Sequence, residues 1–234
     1  DDPLSIFQWH LNSTQEAITT YAQTIISSSQ TISTLATPNI DIKNNQTSYQ
    51  GAGIKIGIID TGIESTHPDL ADNLDTTLSI RYSDNSNDPS PTAGQLSSTP
   101  TISAHGTCCA GIAAAVSDNG IGVKGVASKA TLVGINAFSS PTAVNFVKAI
   151  QHNNNTIDIY SNSWGDTPGG ITDGEVEAIK TSAINGRGGK GSIFVFAAGN
   201  EHTDGANANY FAELNSKYVL TMGALTATGH VATY

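Results

Sequence analysis

The chain has 234 residues, 38% of them hydrophobic and 13% charged, which is enough for one large core and leaves no obvious second domain. Ten Lys and Arg against twenty Asp and Glu give a net charge of -10 and no basic stripe, which argues against a nucleic-acid partner. No stretch reaches the roughly 18 apolar residues of a membrane span, and Asp1-Asp2-Pro3 has neither the basic nor the apolar part of a signal peptide, as in a secreted protein already trimmed.

Residues 1–10 read as an extended arm whose aromatics, Phe7 and Trp9, need somewhere to bury. Thr14 to Ile26 fits an amphipathic helix, and the Ser/Thr-rich stretch to Pro38 its end and a loop. Gly51-Ala52-Gly53 then punctuates the entry to a strand at 54–60, a nearly continuous apolar run without alternation. Such a run belongs in a parallel sheet covered on both faces, where ligands and chemistry collect beyond the carboxyl ends of the strands. Asp60 stands at that end, followed by Thr61-Gly62.

Residues 62–75 form a turn with His67-Pro68-Asp69-Leu70, and 81–104 reads as a polar, proline-containing excursion. It leads to His105 and a helix of small residues from Gly106 to Val116, suited to close approach to its neighbours. Asp118-Asn119-Gly120 and Gly122 break that helix, and a second strand follows at 131–137. A helix over 142–151 repeats Val144, Val147 and Ile150 at helical spacing with Thr142 as its cap. Ile157 to Gly165 is a strand turning into a loop, 173–184 a further helix, 192–197 a strand, 201–216 a polar loop and 218–224 a last strand. Strands alternating with crossover helices about four times predict an α/β layer fold with a mainly parallel central sheet and helices on both faces.

Three polar residues fall where apolar segments begin or end. Asp60, His105 and Asn200 could be a turn acid, a capping histidine and a turn asparagine after Gly199, each unremarkable alone. Together they supply an orienting acid, a base near neutrality and an oxyanion donor, the parts that acyl-group hydrolysis needs besides a nucleophile. The many loop aspartates, Asp69 among them, could hold a hard cation such as calcium or be solvated. Cys108 and Cys109 are adjacent on the small-residue helix and so do not pair with each other. A cysteine nucleophile there, three or four residues from His105 on one helix start, lacks the geometry for attack on a bound amide. Asn12, Asn45 and Asn154 each open an N-glycosylation acceptor pattern and favour a secretory route. A dinucleotide site is excluded, because Gly51-Ala52-Gly53 precedes its strand where a phosphate fingerprint would follow one.

The Asp60-Thr61-Gly62, His105-Gly106-Thr107 and Ala197-Ala198-Gly199-Asn200 blocks resemble, in order, the two catalytic motifs and the oxyanion motif of the subtilisin-like serine peptidase superfamily. Asp2-Pro3-Leu4, Gln8-Trp9-His10-Leu11, His67-Pro68-Asp69-Leu70 and Asp158 through Gly165 narrow the resemblance to its kexin and furin-like, proprotein convertase branch. The resemblance implies a subtilisin-like three-layer fold and a calcium-dependent serine endopeptidase in which Asp60 orients His105, His105 is general base then acid, and Asn200 binds the oxyanion. It implies that Ser163, Trp164 and Gly165 pair with an extended polypeptide substrate, with Asp166 and Asn209 beside the cleft. It further implies a calcium ion held by Asp2 and Asp69 with the loop through Val116, Asn119, Ile121 and Val123, and a propeptide inhibitor as a partner.

No Gly-Thr-Ser motif stands in 1–234, so the expected reading is a catalytic domain lacking its C-terminal part, with the nucleophile beyond Tyr234 and these residues inactive by themselves. The alternative is an inactive, secreted calcium-binding pseudopeptidase or scaffold. The surplus of acid suits a substrate with Arg or Lys at the cleaved position, although Asn209 beside Tyr210 replaces the acid that the family carries near that pocket.

Overall fold

The apolar run at 54–60 forms strand β1 (Lys55–Asp60), and every residue from Ile56 to Asp60 is buried. It pairs in parallel with β3 (Thr131–Asn136) on one side and β4 (Ile159–Asn162) on the other. Strands β2 (Ile80–Arg81), β5 (Ile193–Ala197) and β6 (Val219–Met222) complete a parallel sheet in the order β2-β3-β1-β4-β5-β6. The computed structural model describes residues 2–11, 19, 48–98, 100–165, 171–200, 217–227 and 229–234. Apart from Thr19, the helix expected over 14–26 lies outside them, as do the stretch to Pro38 and the loop at 201–216.

Helices between the strands are α1 (Ala93–Ser98), α2 (Pro100–Ser103), α3 (His105–Ala114), α4 (Ala143–Gln151) and α5 (Asp173–Gly189). The absence of alternation in β1 follows from two separate cores. Ile59, Val133, Ile135, Tyr160, Phe194 and Phe196 pack on one face with Ala149 and Ile150 of α4 and Ala178 and Ile179 of α5. Ile56, Ile58 and Leu132 pack on the other with Ala110 and Ala114 of α3. Gly106, Ala110 and Ala114 recur every four residues, so a stripe with almost no side chain lets α3 lie close to the sheet.

The helix caps follow the sequence. Thr142 Oγ1 accepts the Asn145 N–H at 3.2 Å to start α4. Thr172 and Glu175 form a reciprocal capping box at the start of α5. That helix is regular to Asn185, one residue past the expected end at 184, after which Gly186, Arg187 and Gly188 leave helical φ/ψ. The excursion at 81–104 differs from expectation, since it contains Arg81 of β2 and the whole of α1 and α2. Elements of two to six residues are too short for a hydrophobic period to register. Helix α3 also begins one residue early, with His105 inside its first turn.

Among the described residues the sheet is unevenly covered. Ile56, Ile159 and Ile193 are aligned across β1, β4 and β5, and Val195 and Ala197 face Leu220 and Met222 of β6. Paired residues of parallel strands point to the same face, so Ile193, Leu220 and Met222 lie on the α3 side. Side chains that a covering layer would bury are about half exposed there, Leu220 at 55% and Met222 at 57%.

Candidate active site

Asp60 continues the even-numbered set of Ile56 and Ile58, so its side chain leaves the end of β1 toward the start of α3. It is 2% exposed. His105 Nδ1 lies 2.8 Å from Asp60 Oδ1 and 3.0 Å from Oδ2. A carboxylate only accepts, so Nδ1 carries the proton between them, and in the neutral ring it is Nε2 that holds the lone pair. The ring is 46% exposed, which leaves Nε2 open to an incoming group.

Small residues beside the motifs hold this pair. A Cβ on Gly106 would come within 2.4 Å of the Gly62 carbonyl oxygen and 3.0 Å of the Asp60 Cβ, so only glycine permits the approach of α3 to the end of β1. Thr61 Oγ1 donates to Ser103 O at 3.1 Å and accepts from the Gly106 N–H at 3.1 Å, bridging the two elements. Its own N–H donates to Asp60 Oδ1 at 2.7 Å. Thr107 Oγ1 accepts the Glu64 N–H at 3.0 Å. The stitching roles of Thr61, Gly62, Gly106 and Thr107 were not separable in the sequence from the motifs that contain them.

The sheet's carboxyl edge carries the remaining candidates. Ser163 follows β4, the neighbour of β1, and Asn200 lies three residues beyond β5, the next strand, after Gly199 at φ 109°. Asn200 is thus on the same edge, on the exposed surface. The Trp164 ring packs against Phe146 at 4.9 Å, Phe196 at 5.6 Å and Phe138 at 6.0 Å, so it anchors the segment to the core. Gly165 is exposed. Asp166 and Asn209 lie outside the described residues.

Cys109 Sγ is 3.8 Å from His105 Nδ1. Burial pushes its thiol up to about 11, the Asp60 carboxylate adds to the effect, and a hydrogen bond with Ser163 works against it. A thiol neutral at pH 7 is a poor nucleophile, which removes the cysteine-peptidase reading by a second route.

The six residues expected to hold calcium converge. Asp2 accepts the N–H groups of Asp118 and Asn119 at 2.8 and 3.0 Å. Asp69 accepts Asn119 Nδ2 and the Val123 N–H, both at 2.9 Å, and its carbonyl accepts the Val116 N–H at 3.0 Å. Asn119 Oδ1 accepts the Ile121 N–H at 2.8 Å. Both carboxylates are 2% exposed, and among the described residues neither meets a lysine or arginine. No N–H or O–H of the described residues is directed at the carbonyls of Val116, Ile121 or Val123. Two uncompensated buried carboxylates beside an amide oxygen and free carbonyls make an all-oxygen donor set, which fits a hard cation.

A buried acid gripping a half-exposed histidine at the carboxyl edge of a parallel sheet, beneath a helix of small residues, defines the fold and site of a subtilisin-like peptidase. Residues 51–234 match the subtilase family, and the chain belongs to it. It is 39% identical over 192 residues to furin from Bos taurus and from Homo sapiens, covering 80% of this chain and 24% of the relative. Over 245 aligned residues it is 34% identical to neuroendocrine convertase 2 from Homo sapiens, covering 100% of this chain and 35% of that protein. The chain therefore spans about a quarter to a third of the length of these relatives. Among solved structures, the serine protease of Aeromonas sobria in complex with its chaperone superposes with a TM-score of 0.65 at 26% identity, over 85% of this chain and 32% of that one. A protease from Pseudoalteromonas arctica gives 0.72 at 23% identity over 100% of this chain and 68% of that one, a likeness of fold. Among the described residues no helix is long and apolar enough to cross a membrane.

Proposed function

We propose that the protein is the catalytic part of a kexin-like, calcium-dependent serine endopeptidase that hydrolyses peptide bonds of extended polypeptides. The observation that carries this reading is the 2.8 Å contact between His105 Nδ1 and a carboxylate that is 2% exposed, with the opposite ring nitrogen open. His105 Nε2 takes the proton of a serine hydroxyl as that oxygen attacks the carbonyl, and Asp60 stabilises the imidazolium and holds its tautomer. The proton then passes to the leaving amine. The Asn200 amide donates to the oxyanion, a contact worth about 2.7 to 4 kcal/mol in the transition state. The main chain of Ser163 to Gly165 pairs with the substrate strand, with Asp166 and Asn209 lining its side-chain pockets.

The nucleophile belongs to a segment beyond Tyr234. The exposed strip of Ile193, Leu220 and Met222 on the α3 side supports this, because a further layer there would both bury it and bring a residue to the edge that carries Asp60 and Asn200. Calcium is held by Asp2, Asp69, Asn119 and the carbonyls of Val116, Ile121 and Val123, where it neutralises the two buried carboxylates and ties the N-terminal arm to the domain. A propeptide inhibitor and a secretory route accord with the resemblance and with the three glycosylation acceptor patterns.

Net charge of -10 favours a basic cleavage site. Profiling a peptide library with the complete protein is expected to give cleavage after Arg or Lys; equal cleavage after neutral residues would overturn that preference while leaving the peptidase reading intact.

A further inference from the structure

Thr61, whose N–H orients the Asp60 carboxylate, is itself gripped from outside the motifs. Gln95 Nε2 donates to the Thr61 carbonyl at 3.0 Å. Gln95 comes from α1, where its Oε1 accepts the Thr92 N–H at 2.9 Å and its N–H donates to Thr92 Oγ1 at 3.2 Å. One side chain therefore closes the turn of its own helix and reaches the residue after the catalytic acid.

Behind Gln95 stands Asn136, the register partner of Asp60 on β3 and 0% exposed. Its Nδ2 reaches Gln95 Oε1 at 3.3 Å, Ser90 O at 3.2 Å and Pro89 O at 3.4 Å. Its Oδ1 accepts the Ser139 N–H at 2.9 Å and faces Gln95 Nε2 at 3.4 Å. Gly62, at φ 111°, lies so close that a Cβ would meet Asn136 Nδ2 at 2.6 Å. Asn136 is fully buried and Gln95 partly so, and with donor and acceptor ends matched the two amides hold each other, because each lost contact would leave a polar group unsatisfied.

We infer that Gln95 and Asn136 are positioning residues for the Asp60–His105 pair: together they fix Thr61, and Thr61 fixes the carboxylate that sets the tautomer of His105. This rests on the peptidase reading for its consequence in catalysis, and on the contacts above for its consequence at His105. The reach is functional because displacement of a catalytic group by about 1 Å costs on the order of 100-fold in rate.

Gln95→Glu separates positioning from folding. A carboxylate keeps the acceptor for the Thr92 N–H but has no donor for the Thr61 carbonyl, and it adds negative charge beside the catalytic pair. In the complete protein, kcat is expected to fall at least about 10-fold with KM little changed, and the acid limb of the pH profile to move upward as His105 holds its proton more tightly. Thr92→Ala removes the cap and leaves the Gln95 to Thr61 contact, so it lowers Tm without moving kcat or the pH profile. Should Gln95→Glu fail to fold, Gln95→Met removes the same donor without charge and is expected to lower kcat alike.

A readout independent of hydrolysis is the low-field proton resonance of His105 Nδ1–H, with the titration of the same ring followed by NMR. Both are expected to shift in the Gln95 variants and not in Thr92→Ala. Unchanged resonance, titration and kcat in a folded Gln95 variant would overturn the inference. A complete protein that hydrolyses no peptide would count against the peptidase reading, while the shift at His105 would still decide the positioning role.

Discussion

A methyl group on Gly106 would press on the Gly62 carbonyl oxygen and the Asp60 Cβ together, so the cost of Gly106→Ala falls on the one contact that couples acid to base. Neither neighbour is the free end of a flexible side chain. The start of α3 must therefore move away from β1, lengthening the Asp60–His105 hydrogen bond and breaking the Thr61 bridge. Peptide hydrolysis by the Gly106→Ala form of the complete protein is expected to fall about 100-fold in kcat, with destabilisation of about 1–3 kcal/mol from overpacking. A variant with wild-type kcat would show that the close approach is not needed. Asp60, His105 and Asn200 were legible in the sequence because each stands at a change from apolar to polar chain inside a recognisable block. Gln95 and Asn136 were not, since they lie 41 residues apart and only the β1–β3 register and a six-residue helix bring them together.

At the scale of elements, the parity of the strands explains how the site is aimed. Once Ile56 and Ile58 face α3, Asp60 must face it too, and a one-residue slip would turn the acid toward α4 and α5. The N-terminal arm and the loop at 116–123 form a second unit. Leu4 N–H donates to Gly122 O at 2.9 Å, the Gln8 side chain bonds both main-chain groups of Lys124, and Asp2 spans the turn at Asp118. Gly122 adopts φ 49° where a Cβ would meet Asp69 Oδ2 at 2.3 Å, so the loop closes on the carboxylate only because that residue is glycine. Calcium at 100 times its dissociation constant would add about 2.7 kcal/mol to the folded state. Chelation is then expected to lower Tm by roughly 5–10 °C, at about 2–4 °C per kcal/mol for a domain of this size, and Asp69→Asn to remove the response. An unchanged Tm on chelation would contradict the calcium assignment. The longer strands and helices were readable from apolar runs and caps, whereas β2 at the edge of the excursion at 81–104, and α1 and α2 within it, were hidden because none completes two helical turns or a strand's worth of alternation.

For the whole molecule, the distribution of cover ties fold to function. Among the described residues, α4 and α5 close one face over the core that holds Tyr160 stacked on Phe194, with ring centroids 4.7 Å apart, and α3 closes the β1–β3 side of the other face. The edge that carries Asp60, Ser163 and Asn200 runs from the covered half toward the exposed half, and the proposed nucleophile enters from the latter. This relation was legible in outline, since alternating strands and helices predicted the parallel sheet, but the strand order that sets Asn200 two strands from Asp60 has no signature in one sequence. The central claim is that Asp60 and His105 activate a serine. It is tested most directly by treating the complete protein with a serine-reactive fluorophosphonate. The expected result is covalent labelling at a single serine beyond Tyr234, abolished in His105→Ala and slowed by about 10⁴-fold in Asp60→Asn. An unlabelled wild-type protein, or equal labelling of wild type and His105→Ala, would contradict it.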